Sequence, residues 1–211
     1  MMHGVQMPML DYLQAKRILD KYGIRSIASR YVKSGEDAIE FAGKKEIVLK
    51  VISNKAVHKS KAGLVKLRLS KPDEIREAFN ELAKKGKKLA PYKILAQEMA
   101  SGGVEAIIGG NTDAQFGKMI LVGLGGVYVE IFKDVQLRLC PITRKDAESM
   151  LSELKSSSII THDGKASAML VSLLLKVSKM LTQEKRIKEL DINPVIVREG
   201  AYEVVDIRIM T

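Results

Sequence analysis

The sequence contains one cysteine, Cys140, no tryptophan and few other aromatic residues, 5% in all. A single thiol excludes an internal disulfide and any cysteine-based zinc site. No apolar run approaches the roughly 20 residues of a membrane-spanning helix, and the first residues lack the basic-then-apolar order of a secretory signal. We therefore expect a cytoplasmic protein without a membrane partner.

Positive charge is what the sequence has in excess, with 35 Lys and Arg against 25 Asp and Glu and a formal net charge of +10. This excess favours an anionic partner, such as a nucleotide phosphate, a coenzyme or a nucleic acid. Nucleic acid is the less favoured of these, because aromatic residues are scarce and no RNP-like or zinc-finger signature is present.

The chain length and the order of its patterns predict the fold class. At 211 residues and 46% hydrophobic, the chain can form one or two packed units. An amphipathic helix over residues 10–22 is followed by alternating helix and strand signals, and short β segments between residues 104 and 139 indicate an antiparallel sheet. Two helices follow, over residues 143–154 and 166–181, with a loop at 156–164. We predict one α/β (α+β) domain, 1–211, with interlocked lobes at about 24–95 and 96–211.

The C-terminal hairpin carries the most specific chemical prediction. If Glu199-Gly200 is a two-residue turn, the register places Asn193 directly opposite Asp206. The same register places Asp191 opposite Arg208, with all four side chains on one face and apolar residues on the other. Paired side chains of antiparallel strands have Cβ atoms roughly 4.5–5.5 Å apart, close enough for a carboxylate and an amide oxygen to share a magnesium ion. The alternative is a hairpin with one surface ion pair.

Two basic segments are candidates for phosphate chemistry. Lys50 interrupts the apolar run Ile47–Ile52, and a phosphate would satisfy its charge, although a strand-end lysine that reaches solvent is the alternative. His58 stands in a loop with Lys55, Lys59 and Lys61. This electropositive setting lowers the pKa of the imidazole and keeps a neutral nitrogen available to attack phosphorus, although such a histidine is often only a surface residue.

Glycines and strand-end acids provide the remaining candidates. Gly125 and Gly126 belong to a glycine-rich turn after a strand, where backbone N–H groups can approach a phosphate. The turn is neither a Walker A motif nor a dinucleotide fingerprint. Glu98 and Glu105, at the ends of neighbouring strands, could accept hydrogen bonds from a ribose or orient a base, or could simply be solvated.

Taken in order, these segments resemble the ATP-grasp β subunit of ADP-forming acetate–CoA ligases, which are relatives of succinyl-CoA synthetase. The resemblance covers nearly the whole chain. The segments that carry it are Val48-Leu49-Lys50, His58-Lys59-Ser60, Gln97-Glu98-Met99, Gly103-Val104-Glu105, Gln115-Phe116-Gly117, Gly123-Leu124-Gly125-Gly126-Val127-Tyr128-Val129-Glu130, and Glu189-Leu190-Asp191-Ile192-Asn193-Pro194 with Asp206.

The resemblance implies an ATP-grasp fold with ATP or ADP and Mg²⁺ in a cleft between two lobes. It assigns a role to each candidate: Lys50 on the phosphates, Glu98 and Met99 at the hinge beside the adenine, Glu105 at the ribose, Asn193 and Asp206 on the metal, His58 as the transiently phosphorylated residue, and Asp191 as the acid that steadies it. It also implies a separate CoA-binding α subunit, in a hetero-oligomer such as α2β2, without which the chain would be inactive.

The histidine loop departs from the family pattern, because Lys61 replaces the usual acid and Leu64 the second of two glycines. Three alternatives stay open, and the loop departures bear on the third. The alternatives are a basic nucleic-acid-binding protein, a subunit of the succinate–CoA ligase type, and a nucleotide-binding subunit that no longer turns over.

Overall fold

Two antiparallel sheets organise the protein, whose computed structural model describes residues 8–53, 55, 63–100, 102–125, 134–160 and 164–211. Among the candidate residues, His58 and Gly126 lie outside these ranges. In chain order the elements are α1 (Tyr12–Lys21), β1 (Ser29–Val32), α2 (Gly35–Ala42), β2 (Ile47–Ile52), β3 (Val65–Leu69), α3 (Pro72–Gly86), a 3₁₀ turn (Lys87–Leu89), β4 (Lys93–Glu98), β5 (Val104–Asp113), β6 (Gly117–Leu124), β7 (Val135–Leu139), α4 (Arg144–Ser152), α5 (Ser157–Ile160), α6 (Gly164–Gln183), β8 (Glu189–Arg198), β9 (Ala201–Val204) and β10 (Ile207–Met210).

The smaller of two compact units spans Ile27–Ser101 and contains a four-stranded sheet in the order β1-β4-β2-β3. Helix α2 begins after Ser34, whose hydroxyl accepts the N–H of Asp37, and Pro72 opens α3. Alternate residues of β2 and β4 pack with these helices in the core: Ile47, Leu49, Val51, Ile94 and Ala96. The other face of β2 and β4 therefore carries Val48, Lys50, Leu95 and Gln97.

The larger unit comprises Met1–Ser26 and Gly102–Thr211. Its sheet has the order β10-β8-β5-β6-β7, with β9 paired to β8. Helix α6 buries side chains at helical spacing, Leu170, Leu174, Val177 and Leu181. Gly110 leaves room for this helix, since a Cβ there would lie 2.6 Å from Leu181 Cδ1.

The boundary between the units differs by a few residues from the predicted lobes. Residues 24–26 belong to the larger unit, because the Val204 N–H donates to the Arg25 carbonyl at 3.1 Å and Ser26 forms a bridge with Val204. Residues 96–101 belong to the smaller unit, because β4 continues through Glu98 while paired with β1 and β2.

The predicted helix at residues 10–22 is present as α1, and Gly23 follows it with φ +64°. The prediction of a loop throughout 156–164 is wrong, because Ser157–Ile160 forms one helical turn. Asp134 holds the start of this turn, since its carboxylate accepts the backbone N–H of Lys155 at 2.9 Å and of Ser156 at 2.6 Å. No helix within the described ranges has the length and apolarity needed to cross a membrane.

Candidate functional site

The C-terminal hairpin has the predicted register. Strands β8 and β9 are joined at Glu199-Gly200, where Gly200 has φ +67°, and Arg198 pairs with Ala201. The same register continues into β10, where Asp191 pairs with Arg208. The two-residue turn on which the metal prediction depends is therefore confirmed.

Asn193 and Asp206 lie opposite each other between these paired segments. The Asn193 N–H donates to the Asp206 carbonyl at 3.2 Å, and the Val205 N–H donates to the Pro194 carbonyl at 3.0 Å. Along β8, Leu190 and Ile192 are buried whereas Asp191 and Asn193 are exposed. The polar residues thus share the face turned away from the core, as the alternation predicted.

A β-bulge marks the position of Asn193. Strand β5 pairs Ala106 with Val195 and Ile108 with Ile192, so that Ile107 faces the two residues Asn193 and Pro194. Bulges of this kind bend a strand and re-aim its side chains, and they are frequent beside active sites.

The donor chemistry at this position fits magnesium. An amide oxygen and a carboxylate are hard donors, and Mg²⁺ in nucleotide sites commonly takes one or two protein ligands together with phosphates and waters. The Asp206 carboxylate is oriented at the start of β10, where Oδ1 accepts the Ile207 N–H at 3.0 Å. The described residues contain no group of three or more His, Cys, Asp or Glu that could hold a metal, so an all-protein cage is absent from that part of the chain. The metal role of Asn193 and Asp206 stays a prediction.

Glu105 and Gly125 are brought together by the β5–β6 pairing. The Gly125 N–H donates to the Glu105 carbonyl at 2.7 Å. A Cβ at position 125 would lie 2.9 Å from the Glu105 backbone carbon, so the close approach requires glycine. Glu105 is exposed and, by strand alternation, shares its face with Gly109, which pairs with Asp191. The larger unit thus gathers Glu105, Gly125 and the hairpin acids on one sheet.

Lys50 lies in an inner strand of the smaller sheet, between Leu95 of β4 and Val65 of β3. Only 7% of the residue is exposed, which contradicts the alternative of a strand-end lysine in solvent. Its side chain is on the face opposite α2 and α3. Lysines are rarely buried to this extent in folded proteins, so the position is unusual.

Gln97 is a further polar residue on this face, and it was not among the site residues predicted from the sequence. It is fully buried and pairs with Val48 of β2 and Ser29 of β1. Lys50 pairs with Leu95, which is two positions before Gln97 on β4. The Lys50 and Gln97 side chains are therefore diagonal neighbours, about 7–8 Å apart. The available signal was a polar residue inside a buried strand, the same signal that identified Lys50.

The Glu98 side chain lies on the other face of β4. It follows Ile94 and Ala96 on the face that carries the core residues, and its Oε1 is 2.5 Å from Lys45 Nζ. The Glu98 N–H donates to the Ala28 carbonyl and the Met99 N–H to the Glu46 carbonyl. The Glu98 carboxylate and these two N–H groups are thus already engaged within the smaller unit, and the adenine role of Glu98 and Met99 stays a prediction.

The similarity of the chain to known proteins decides its family. A family model described as an ATP-grasp domain matches residues 5–211. The chain belongs to the ATP-grasp family. The fold predicted from the sequence resemblance is therefore confirmed.

The relatives of this ATP-grasp chain include CoA ligases of two architectures. It is 38% identical to the β subunit of ADP-forming acetate–CoA ligase II from Pyrococcus furiosus, over 96% of this chain and 91% of that subunit. It is 40% identical to ADP-forming acetate–CoA ligase I from Archaeoglobus fulgidus, over 92% of this chain but only 30% of that longer protein. These relatives give no support to the hypothesis of a nucleic-acid-binding protein.

Solved structures agree with these relatives. The dinucleotide-forming acetyl-coenzyme A synthetase 1 of Ca. Korarchaeum cryptofilum, in complex with coenzyme A and Ca-AMPCP, is 37% identical with a TM-score of 0.88, over 96% of this chain and 93% of that one. A second structure of that protein, with Mg-AMPPCP, has a TM-score of 0.82 at 36% identity, over 96% and 92% of the two chains. It is described with its phosphohistidine segment pointing towards the nucleotide binding site.

Proposed function

We propose that this chain is the nucleotide-binding β subunit of an ADP-forming acyl-CoA ligase, with acetate as the favoured acid. The reaction is carboxylic acid + CoA + ATP ⇌ acyl-CoA + ADP + phosphate, which is acid–thiol ligase chemistry. The observation that carries the proposal is the facing pair of Asn193 and Asp206 at a bulge, in a chain similar over almost its whole length to such a β subunit.

The nucleotide contacts are assigned by charge and position. We assign Lys50 to the phosphates, because it is a cation on the face of β2 opposite α2 and α3 and occupies the position that the family resemblance gives to the phosphate-binding lysine. We assign Mg²⁺ to Asn193 and Asp206; when bound, the metal neutralises charge on the transferring phosphoryl group. Glu105 is assigned to the ribose, Gly125 and Gly126 to the phosphates through their backbone, and the Glu98-Met99 segment to the adenine.

A histidine relay divides the reaction into two phosphoryl transfers. We propose that a His58 nitrogen attacks the γ-phosphorus of ATP, so that an N–P bond forms as the bond to the ADP oxygen breaks and ADP leaves. Asp191, on the same face as Asn193, is assigned to hold the imidazole. The phosphohistidine segment described in the Korarchaeum relative supports this assignment, and the position of His58 in a lysine-rich loop is its basis in this chain.

A partner subunit completes the proposal. The Pyrococcus relative is named as one subunit of its enzyme, and the Archaeoglobus relative continues well beyond the matched segment in one chain. We propose a separate CoA-binding α subunit, in a hetero-oligomer such as α2β2, located in the cytoplasm where ATP and CoA are available.

Phosphoryl labelling tests the relay. The purified chain, incubated with γ-labelled ATP and Mg²⁺ with and without the CoA-binding subunit of the same organism, should acquire an acid-labile label that His58→Ala abolishes. His162→Ala is the matched control, because it removes another histidine and should leave the label intact. Full labelling or full ligase activity of His58→Ala would contradict the relay, and nucleotide binding without any labelling would favour a non-catalytic subunit.

A further inference from the structure

We propose that an apolar patch on the β6–β7 edge of the larger sheet docks the CoA-binding partner subunit, an inference that rests on the proposed function. The patch, called the edge patch below, consists of Met119, Leu121, Leu137 and Leu139. No role in nucleotide binding was assigned to any of these residues.

Cross-strand pairing builds the centre of the edge patch. Met119 pairs with Leu139 and Leu121 pairs with Leu137. Between the two β6 residues, Ile120 is fully buried, so the core lies on the opposite face of the strand. Leu137 is 44% exposed and Leu139 is 51% exposed, so two large apolar side chains on adjacent positions of one face are open to solvent.

Phe116 lies at the β5–β6 turn, three residues before Met119 of the edge patch. Its side chain is 64% exposed. The turn is held by Asp113, whose Oδ1 accepts the N–H of Gln115 at 2.7 Å and of Phe116 at 2.9 Å. An exposed aromatic residue on a preorganised turn loses little conformational entropy on binding, which is the character of an interface anchor.

The edge position makes a permanent partner the favoured occupant. Strand β7 is the last in the sheet order, and no strand in the described part of the chain pairs with its outer side. An apolar edge strand exposed to solvent promotes aggregation unless something covers it. The Archaeoglobus relative carries additional polypeptide in the same chain, whereas the Pyrococcus relative is one subunit of its enzyme, so a second subunit is the natural cover here.

The edge patch is also close to the residues assigned to phosphoryl transfer. Leu137 pairs with Leu121, Leu121 with Gly109, and Gly109 with Asp191, all on one face. Three strand spacings separate Leu137 from Asp191, a distance of about 14 Å. Gly109, which has no side chain, lies between them. A subunit seated on the edge patch would therefore stand beside the proposed relay acid, where it must receive the phosphoryl group.

The test compares two exposed leucine positions with a third. The double variant Leu137→Lys/Leu139→Lys should weaken binding to the purified CoA-binding subunit at least about tenfold, because it places two charges in an apolar contact. Leu67→Lys is the matched control, since Leu67 is 58% exposed on β3 of the smaller unit, and it should bind the partner like wild type. Binding is measured by isothermal titration and by light scattering after gel filtration.

Each outcome has a distinct meaning. Equal binding of the CoA-binding subunit by the double variant and by wild type would overturn the assignment of the edge patch as its docking site. Nucleotide binding by wild type without any partner binding would instead overturn the proposed two-subunit function. If wild type is a homodimer and the double variant is a monomer that still binds the partner, the patch contacts a second copy of this chain. That outcome would also overturn the inference. The MgADP affinity of each variant verifies that it is folded. Phe116→Ala, beside the patch, adds no charge and should weaken partner binding several-fold.

Discussion

The polar candidate residues are exposed on the larger sheet and buried on the smaller one. On the larger sheet, Asp191 and Asn193 are exposed and alternate along β8 with the buried residues Leu190 and Ile192. On the smaller sheet, Lys50 and Gln97 are buried among apolar neighbours. An exposed polar residue on a strand costs nothing in stability, so only chemistry distinguishes it, whereas a buried one is unfavourable unless it has partners. Substitutions should therefore separate the two faces by their effects on stability and on binding.

The largest expected effect is on the exposed face. Asp206→Ala should lower ligase activity with the partner subunit by about a hundredfold or more, because it removes a proposed metal ligand. The melting temperature should fall only slightly, because the side chain is outside the core and the substitution removes one hydrogen bond, from the Ile207 N–H. Glu189→Ala is the control, an exposed acid on the same face of β8 that has no assigned role. Activity near that of wild type in Asp206→Ala would remove the metal assignment.

The buried face should respond differently. Lys50→Met keeps the aliphatic stem and removes the charge, so MgADP affinity should fall about tenfold to a hundredfold through loss of a charged hydrogen bond to phosphate. Stability of the nucleotide-free protein should change less than nucleotide affinity, because methionine keeps an apolar stem of similar length in the sheet. Titration calorimetry measures the MgADP affinity, and urea unfolding measures the stability of the nucleotide-free protein. A large loss of stability with unchanged affinity would mean that Lys50 is structural.

Gln97→Leu tests whether the buried face works as a unit. Removing one neutral hydrogen-bonding group near the proposed phosphate lysine should reduce MgADP affinity by a few-fold to about tenfold. In the Lys50→Met background the same change should have a smaller effect on MgADP affinity, because substitutions of neighbouring residues that contact one ligand are not additive. Calorimetric titration of MgADP onto the two single variants and the double variant completes the double-mutant cycle. Strictly additive losses of binding free energy would argue against a shared role of Lys50 and Gln97.

The smallest effect on nucleotide binding is expected at Asp134, a buried acid in a structural role. Burial opposes its ionisation, but hydrogen bonds from Ser156 and the Lys155 N–H outweigh this and hold the pKa of Asp134 below its usual value. Its stabilising contribution is therefore complete above the unfolded pKa of about 3.9 and is lost as the pH falls through the lower folded value.

Asp134→Asn should therefore lower the free energy of unfolding at pH 7 by about 1–3 kcal/mol and leave MgADP affinity unchanged. The difference from wild type should shrink as the pH falls below about 4. Urea unfolding at several pH values measures it. A constant difference across the acid range would show that ionisation of Asp134 is not the source of the effect.

The contrast between the faces also explains what the sequence could predict. The hairpin register followed from local information, since a two-residue turn and the alternation of Leu190 and Ile192 with polar residues determine which side chains face each other. Lys50 could be recognised because a single charge interrupts an apolar run. Both signals are contained within one or two neighbouring strands.

The missed features depend on residues that are distant in the chain. The bulge at Asn193 arises from the pairing of β8 with β5, and nothing in the pattern of β8 alone reports it. The position of Gln97 beside Lys50 requires the β2–β4 register. The helical turn at Ser157–Ile160 depends on Asp134, which lies more than 20 residues away. Periodicity identifies elements, but it does not reveal which elements become neighbours.

Calorimetric titration of ADP with and without Mg²⁺, onto wild type and Asp206→Ala, tests the central claim most directly. If Asn193 and Asp206 hold a metal that binds the nucleotide phosphates, Mg²⁺ should strengthen ADP binding to wild type and should lose that effect in the variant, while metal-free ADP binds both alike. An undiminished Mg²⁺ effect in Asp206→Ala would contradict the account.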